Sequence, residues 1–345
     1  MIQPGFFDLS SRYEKLDKLG DPLPKIESVV DWESFRPILE TIRQKPRKSN
    51  AGRPPFDAVM MLKTLVLQSL YNLSDDQVEF QIRDRYSFQR FLGLTPEGVV
   101  PDAKTVWVFR EELKRHGLID KLFYQLNHQI ESAGYVPRKG QIIDASIVEA
   151  PRQRNSRDEN DRIKSGQTPD DWSEPKRRQK DVDARWTKKH GNNYYGYKNH
   201  ISVDREHKLI RHWSSTPASV HDSQVFYELL DDGNTSGDVW ADSAYWSGGR
   251  EAELEELGYR SRIHRKGVRG KPLDGRGDAA NRKRSSVRAR VEHVFGQQSW
   301  FGVYIRTIGW ARARLKIGMT NLAYNMRRFA WLSAHVRPPG RWAGC

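Results

Sequence analysis

The sequence predicts an α/β protein in which an all-α segment precedes a mixed sheet with helices. Three patterns support this class. Apolar residues recur at helical spacing over residues 56–134. The β-branched run Gln141–Ala150, QIIDASIVEA, is bounded by a glycine and a proline and is typical of a buried strand. A further apolar run in DVWADSAYWS, residues 238–247, ends on Asp242 and small residues, which indicates a strand that stops at a carboxylate.

The helices of the first half are predicted from apolar periodicity and from residues that begin or end helices. Ser74 with Gln77 three residues later is a capping-box pattern, and Asp102 precedes the next periodic run as an N-cap. Consecutive short helices fit a helix-turn-helix-like DNA-binding module, although a plain helical bundle explains the same periodicity. The predicted helices are Phe56–Tyr71, Ser74–Asp84, Ser87–Leu92, Ala103–His116 and Leu118–Ser132.

Strands and helices alternate in the second half. Tyr, Ile and Val alternate with polar residues on both sides of residues 204–207, which predicts a hairpin. Residues 311–334 carry an apolar stripe at helical spacing that is expected to complete the core. The predicted strands are Tyr194–Val203, Lys208–Ser214 and Tyr259–His264, and the predicted helices are Ser223–Leu230 with Asp222 as its cap, Ser247–Leu257 and Ala311–Ala334.

The charge balance indicates the class of partner. Among 345 residues, 58 Lys and Arg stand against 44 Asp and Glu, which gives a net charge of +14. Nucleic acid is the expected partner, because neutralised phosphates release counterions and reward clustered Lys and Arg. The most apolar stretch, residues 58–71, contains Lys63 and Gln68 and is short of the roughly 20 residues of a membrane span. No membrane partner is therefore expected, and the absence of a secretory signal pattern predicts a cytoplasmic protein.

Three carboxylates on separate predicted elements are candidate metal ligands. Asp144 lies within the first strand, Asp242 ends the second apolar run, and Glu292 lies beside the apolar stripe of a helix over 287–295. Mg²⁺ takes one or two carboxylates with water and substrate phosphate, and two ions about 3.5–4 Å apart can clamp a phosphodiester. One cysteine and scattered histidines argue against zinc. Structural explanations also exist: backbone hydrogen bonds for Asp144, a helix cap for Asp242 and an ion pair with Arg288 for Glu292.

Six motifs follow one another in a fixed order between residues 52 and 296, within a match that extends over about residues 52–331: GRPPFDAVMMLKTLVLQSLYNLSDDQ, QIIDASIVEAPR, YYGYKNHISVD, TPASVHDS, ADSAY and RVEHVFG. Together they resemble the DDE transposases of bacterial insertion sequences, specifically insertion-sequence family five, within the ribonuclease-H-like superfamily. The resemblance implies a ribonuclease-H-like catalytic domain with a mixed five-stranded sheet. It places Asp144, Asp242 and Glu292 at the first, second and third positions of the catalytic triad.

The resemblance includes one departure. The third motif of the family has three basic or aromatic residues around the glutamate: an Arg four residues before it, a Tyr seven residues before it and a Lys seven residues after it. The Arg is matched by Arg288. The last two positions are Ser285 and Ser299 here. The triad is intact, and the departure bears on the contacts that this block of the family usually makes to the backbone of the transposon end.

The resemblance implies a transposase that binds the ends of a mobile DNA element, cleaves phosphodiesters and transfers 3′-hydroxyl ends into target DNA. The implied cofactor is Mg²⁺, two ions with Mn²⁺ able to substitute, and the implied partners are terminal inverted repeats and target DNA in duplex form. A homodimer or higher oligomer on the nucleoid of a bacterium is also implied. Two alternatives are a ribonuclease-H-like nuclease without strand transfer and a catalytically inactive, domesticated DNA-binding protein.

Basic residues near the predicted site are candidate DNA contacts. Residues 260–290 contain twelve Lys or Arg against two acidic residues and lead into the helix of Glu292. His221 and Trp246, in or beside the HDS and ADSAY motifs, are candidate substrate contacts, although a histidine that caps backbone is the commoner case. The candidate DNA contacts are Arg152, Lys198, Arg265, Lys266, Arg284 and Arg288.

Residues 151–193 contain almost no aliphatic side chains. Such a segment cannot bury enough surface to offset its ordering entropy, which predicts a mobile basic insertion. Its Trp172 and Trp186 are expected to dock on the protein or on DNA. Residues 1–50 are predicted to form an arm for dimerisation or DNA contact, or else a loosely packed extension. The other predicted domains are a helical DNA-binding domain at 51–136, a catalytic domain at 137–335 and a tail at 336–345.

Overall fold

A computed structural model describes residues 9–43, 54–189, 191–267, 270 and 272–336. The chain divides into two compact units: residues up to Tyr135 together with those from Leu322, and residues Val136–Asn321. The last helix therefore contributes to both units, whereas the sequence patterns assign all of it to the catalytic domain. Most of the predicted tail, and residues 1–8 and 44–50 of the predicted arm, lie outside the described residues.

The first unit is built from helices, as predicted. Every helix predicted within residues 56–134 is present, with bounds that differ by no more than two residues. Two 3₁₀ turns, Glu33–Phe35 and Thr41–Arg43, flank the third helix. The helices are α1 Ser10–Lys18, α2 Leu23–Val29, α3 Arg36–Glu40, α4 Ala58–Leu70, α5 Asp75–Asp84, α6 Tyr86–Leu92, α7 Ala103–Arg115 and α8 Ile119–Ser132.

The predicted helix boundaries rest on side-chain caps that the structure contains. The Ser74 hydroxyl accepts a hydrogen bond from the Gln77 amide at 3.1 Å, and the Gln77 side chain accepts one from the Ser74 amide at 2.9 Å. This is the reciprocal capping box at the start of α5. Asp102 accepts a hydrogen bond from the Thr105 amide at 2.6 Å and so begins α7. Gly93, at φ +69°, ends α6 in the left-handed conformation.

Residues 9–43 are a packed part of this unit and not a separate arm. Leu23, Ile26, Phe35 and Leu39 are all 1% exposed or less. Helix α2 packs on α6, and α3 packs on α4. Pro24 and Pro37 lie in the first turns of α2 and α3, where the missing N–H costs no helical hydrogen bond.

The second unit contains a six-stranded sheet and four complete helices. The segment that connects β1 to β3 contains two short helices and one strand. The strands are β1 Gln141–Glu149, β2 Arg185–Lys189, β3 Asn192–Asp204, β4 Ile210–Pro217, β5 Asp238–Trp240 and β6 Arg260–Ser261. The helices are α9 Arg157–Lys164, α10 Glu174–Gln179, α11 Gly248–Glu256 and α12 Gly275–Trp300, followed by α13 Trp310–His335, which enters the first unit.

Strand β1 is central to the sheet. On one side it pairs antiparallel with β3, which pairs antiparallel with β4. On the other side it pairs parallel with β5, which pairs parallel with β6. This mixed arrangement and the order of its strands confirm the ribonuclease-H-like α/β fold that the resemblance implied. The sheet has six strands instead of five because β2 pairs with the beginning of β3, on the same edge that β4 occupies farther along.

Gly196 lies where β3 changes its partner on that edge. It is opposite Glu149 of β1 and Arg185 of β2, and the next residue, Tyr197, pairs with β4. Its φ is +148°, and a Cβ atom there would lie 2.3 Å from the Val148 carbonyl oxygen. The glycine of the GYK motif is therefore required by the close approach of two backbones.

Replacement of Gly196 by Ala is expected to lower the free energy of unfolding by at least about 1–3 kcal/mol, the typical cost of a strained backbone position. Urea denaturation measures the change. Gly296→Ala is the matched control, because Gly296 lies inside α12 and no other atom lies within 4 Å of the place that a Cβ would occupy. This control should be neutral or stabilising by about 0.5–1 kcal/mol. Equal stabilities of the two variants would contradict the role assigned to Gly196.

The segment 151–193 has more structure than its composition predicts. Trp172 is 4% exposed, and its indole N–H donates to Glu159 at 2.6 Å. Hydrogen bonds from Lys176, the Ser156 amide and Trp172 lower the pKa of Glu159 to about 2. Instead of a mobile insertion, the structure contains α9, α10 and β2 held by a few polar contacts to aromatic residues. Trp172 docks on the protein, and Trp186, 45% exposed, packs against Tyr195.

The last helix, α13, has the predicted apolar stripe on its buried side. The five residues of the stripe are all 4% exposed or less: Leu315, Met319, Leu322, Met326 and Phe329. Of the helices that the structure describes, none is both long and apolar enough to cross a membrane.

Candidate active site

Asp144 lies in the middle of β1, the central strand. Its side chain is 18% exposed. One carboxylate oxygen accepts a hydrogen bond from the Ala145 amide at 2.8 Å, and the other accepts one from the Arg288 guanidinium at 3.0 Å. The strand thus presents a largely buried carboxylate that is paired with a cation from α12.

Asp242 comes two residues after β5, on the strand next to β1. In the parallel pairing of these strands, Gln141 is opposite Val239 and Ile142 is opposite Trp240. Continuing this register by two residues brings Asp242 opposite Asp144, at the roughly 4.8 Å spacing of neighbouring strands. Asp242 accepts a hydrogen bond from the Ala244 amide at 2.6 Å, whereas α11 is capped by Ser247. Asp242 is therefore not a helix cap.

The two aspartates interact electrostatically. Burial raises the pKa of Asp144 above its usual value, and the charge on Asp242 raises it too, against the opposing effects of Arg288 and the Ala145 amide. The charge of Asp242 therefore disfavours the charged form of Asp144, whereas a cation at this point favours it. The Arg288 guanidinium is one such cation.

Glu292 lies one turn after Arg288 on α12, on the exposed face of the helix. The neighbouring Val291 and Val294 are buried, and α12 packs on β1 and β5. Throughout the described ranges, no three His, Cys, Asp or Glu side chains converge as metal ligands. The structure thus brings Asp144 and Asp242 together and leaves the Glu292 carboxylate outside the pair. Arg288, which helical spacing alone would pair with Glu292, is the cation beside Asp144.

The paired aspartates fit a divalent cation of the Mg²⁺ type. Their donor atoms are hard oxygens, and Mg²⁺ is usually held in proteins by one or two carboxylates with the remaining positions filled by water and substrate phosphate. The raised pKa of Asp144 fits as well, because a cation at this point would oppose the effect of burial, which is the main cause of the rise, and the smaller repulsion from Asp242.

His264 and Tyr245 also surround the aspartates, and neither was singled out from the sequence. His264 continues the β5–β6 pairing through its amide, which donates to the Ala241 carbonyl at 3.1 Å, and its ring lies 3.4 Å from the Ser285 hydroxyl. Burial and then Arg288 lower the pKa of His264, against the effect of Asp242. Its position at the end of the predicted strand Tyr259–His264, of which the structure forms Arg260–Ser261, was the signal that the sequence offered.

Tyr245 is fully buried, and its hydroxyl has no hydrogen-bond partner among the described residues. Burial raises its pKa well above the usual value, and the charges of Asp222, Asp144 and Asp242 act in the same direction. The ADSAY motif therefore contributes a neutral phenol to the surroundings of the aspartates.

The basic run after β6 forms a crowded group of cations beside this site. The structure places part of the run on α12, which begins at Gly275, and not in a loop. Arg265 is 54% exposed and 3.4 Å from Glu251, and Lys266 is exposed. Burial lowers the pKa of Arg284, and repulsion from Arg265 and Arg262 lowers it further. Like charges that repel each other in this way favour a polyanionic ligand.

Two of the other candidate contacts have structural roles. The Lys198 ammonium is 2.7 Å from both the Val220 carbonyl and Asp222, with its side chain 12% exposed, so it is not an exposed DNA contact. His221 is the N-cap of the 3₁₀ turn Asp222–Val225 and accepts a hydrogen bond from the Ser223 amide at 3.3 Å. This turn and a second one, Tyr227–Leu229, replace the predicted helix Ser223–Leu230 and its Asp222 cap.

The last two candidate contacts, Trp246 and Arg152, lie apart from one another. Trp246 is partly buried and packs against the apolar cluster that contains Tyr245. Arg152 follows the end of β1, where its guanidinium lies over the Trp186 ring at 5.8 Å. Arg152 is therefore about eight residues along the chain from Asp144 and belongs to a different part of the surface.

Comparisons with known proteins identify the family of this chain. Residues 136–326, more than half of the chain, match the family described as "Transposase DDE domain", and residues 10–112 match the family described as "Transposase domain (DUF772)". One solved structure that the chain matches is a cryo-EM structure of piggyBac transposase in a synaptic complex with hairpin DNA. It has 14% sequence identity and a TM-score of 0.48, over 91% of this chain and 76% of that chain. From its two domain matches and its motifs, the chain belongs to the DDE transposases of bacterial insertion sequences.

Proposed function

We propose that this chain binds the ends of a mobile DNA element, cleaves phosphodiesters there and transfers the freed 3′-hydroxyl ends into target DNA. The observation that carries the proposal is the register of β1 and β5, which sets Asp144 opposite Asp242 at the centre of the sheet. Residues far apart in the chain thereby form one pair of oxygen ligands beside a surface rich in arginine.

The proposed cofactor is Mg²⁺, with two ions expected and Mn²⁺ able to substitute. Asp144 and Asp242 would hold it, and Glu292 is the proposed third ligand because residues four apart are neighbours on a helix surface and Arg288 already reaches Asp144. When bound, divalent metal supplies charge stabilisation at the scissile phosphate and activates the attacking hydroxyl. The chain itself holds these carboxylates in place and partly excludes water from them.

The proposed substrate is duplex DNA: the terminal inverted repeats and the target. The cations Arg265, Lys266 and Arg284 would meet its phosphates beside the aspartates, because phosphate contacts position a duplex without reading its sequence. We assign end recognition to the helical unit, whose short capped helices α4 to α7 suit a groove-reading module. A homodimer or higher oligomer on DNA is part of this proposal, because two ends must be handled together.

A strand-joining assay separates the proposed function from its alternatives. Supplied with pre-cleaved ends that carry a free 3′-hydroxyl, together with Mg²⁺ or Mn²⁺, the protein is expected to join them to target DNA. A nuclease without strand transfer would cut uncleaved ends but join nothing. An inactive DNA-binding protein would bind the ends and do neither, and either result would overturn the proposal.

A further inference from the structure

A cavity of about 370 Å³ lies at the far end of β1, between the start of segment 151–193 and the chain just before α13. It is enclosed by backbone and side chains from three stretches of the second unit. The lining consists of residues 150–154, residues 179–181 and residues 306–308. None of these stretches contributes to the aspartate pair.

The cavity lining is strongly basic. Four of its side chains carry positive charge: Arg152, Arg154, Lys180 and Arg306. The only acidic residue in the lining is Asp181, which is 4% exposed. Its carboxylate accepts hydrogen bonds from the Tyr197 hydroxyl at 2.8 and 2.9 Å and from the Asp183 and Ala184 amides at 3.0 Å. The lining therefore carries four cations against one buried carboxylate, which leaves it with an excess of positive charge.

Two of these cations are fixed by the protein. The Lys180 ammonium donates to the Arg154 carbonyl at 2.6 Å and to the Asn155 side chain at 2.8 Å. The Arg152 guanidinium donates to the Asn193 carbonyl at 3.4 Å and lies over the Trp186 ring. Each contact uses a neutral acceptor or a ring face, so the positive charge is held in place without being cancelled.

The other two cations are available to a ligand. Within the described ranges, the side chains of Arg154 and Arg306 form no hydrogen bond or ion pair, and both residues are exposed. Gln153, also in the lining, has a buried side-chain oxygen with no partner among these residues. Rotation of the Gln153 side-chain amide by a half-turn would direct its N–H donors to the same position, because the amide oxygen and nitrogen exchange places on rotation.

We infer that this cavity binds a phosphate group of the DNA backbone, at a position other than the one that is cleaved. The cavity begins at Ala150, six residues along β1 from Asp144, which corresponds to about 20 Å at the usual rise of a strand. Guanidinium groups suit a phosphate because their donors match two of its oxygens at once. DNA as the source of the phosphate rests on the proposed function, whereas the anion site itself rests only on the cavity and its charges.

The test is the salt dependence of DNA binding by the full chain. In Arg154→Gln/Arg306→Gln, the slope of log K against log salt concentration is expected to fall by about 0.9 for each duplex phosphate that the protein no longer neutralises. Arg178→Gln is the matched control, because Arg178 lies in the same segment but pairs with Glu174 and does not line the cavity. The control should keep the wild-type slope. An unchanged slope in the double variant, or an equal change in both proteins, would overturn the inference.

Two further measurements separate the possible outcomes. Inorganic phosphate titrated into the free protein should perturb Trp186 fluorescence in the wild type but not in the double variant. A response to phosphate with an unchanged DNA slope would identify a small-anion site and overturn the DNA inference. Failure of the wild type to join ends would instead count against the proposed function and leave the salt-slope result intact.

Discussion

Asp242→Asn is expected to reduce cleavage of element ends by about 10³-fold or more, the scale on which one member of a catalytic unit fails. The amide keeps the size of the side chain and can still accept the hydrogen bond from the Ala244 amide. It removes the negative charge that, with Asp144, makes this point of the sheet attractive to a divalent cation. DNA binding should persist or tighten, because one carboxylate no longer repels phosphate. Gel-based cleavage and binding assays on the same preparation measure both effects.

The control for this variant is Glu255→Gln. Glu255 is an exposed acid on α11, outside the site, and its replacement should leave cleavage unchanged. The double variant Asp144→Asn/Asp242→Asn should be no worse than either single variant, because residues that act as one unit lose nearly everything on the first deletion. Wild-type cleavage by Asp242→Asn would show that the pair is not the catalytic site.

Glu292→Gln tests the third ligand separately. If α12 brings this carboxylate to the metal when DNA is bound, the variant should lose cleavage on the scale of Asp242→Asn. Full activity would limit the metal ligands to the two aspartates.

Asp204→Asn is expected to lower the free energy of unfolding by about 3–5 kcal/mol, the cost of removing one partner from a buried ion pair. Asp204 is fully buried at the end of β3, and its carboxylate lies 3.2 Å from the guanidinium of Arg211, which is 2% exposed. It also accepts hydrogen bonds from the His207 amide at 2.7 Å and the Leu209 amide at 3.2 Å. The amide in the variant cannot supply the charge that Arg211 faces. Urea denaturation at neutral pH measures the change.

The pH dependence gives this prediction a second test. Burial raises the pKa of Asp204, but Arg211 and the hydrogen bonds from His207 outweigh burial and hold the pKa below its usual value. A lowered pKa in the folded state stabilises the protein above the unfolded value of about 3.9, and this stabilisation is lost as the pH falls through the folded value. The wild type should therefore lose more stability on acidification than Asp204→Asn. Parallel curves would contradict the assignment.

Asp238→Asn is the control for both measurements. Asp238 begins β5, and its partners Arg260 and Arg262 have side chains 63% and 46% exposed. Pairs of this kind contribute about 0–1 kcal/mol. A destabilisation as large as that of Asp204→Asn would mean that burial does not distinguish the two aspartates.

Local patterns in the sequence were sufficient to predict most of the elements. The capping box at Ser74, the N-cap at Asp102 and the hairpin around residues 204–207 each depend on side chains and backbone groups a few positions apart. Such interactions are encoded in the order of the residues and need no distant partner. The motifs added the identity of the fold, because six ordered matches are far more specific than any periodicity.

Composition was a poor guide where order depends on single contacts. Segment 151–193 has too few aliphatic residues to form a core of its own, yet Trp172 on Glu159 and Tyr197 on Asp181 hold it in place. Residues 9–43 were predicted to form an arm or a loosely packed extension, yet Leu23, Ile26, Phe35 and Leu39 are buried in the first unit. In both cases the stabilising partner is too far away in the sequence to be part of a local pattern.

The order of residues was enough to predict that Asp144 lies within a buried strand, that Asp242 ends another and that Glu292 lies on a helix. The parallel pairing of β1 and β5 with Asp144 opposite Asp242, and the position of Arg288 beside Asp144, became visible only in the folded chain. Strand register depends on backbone hydrogen bonds between segments almost a hundred residues apart, and a shift of one residue would turn a side chain to the opposite face. No local pattern carries that information, because it is fixed when both faces of the sheet are packed.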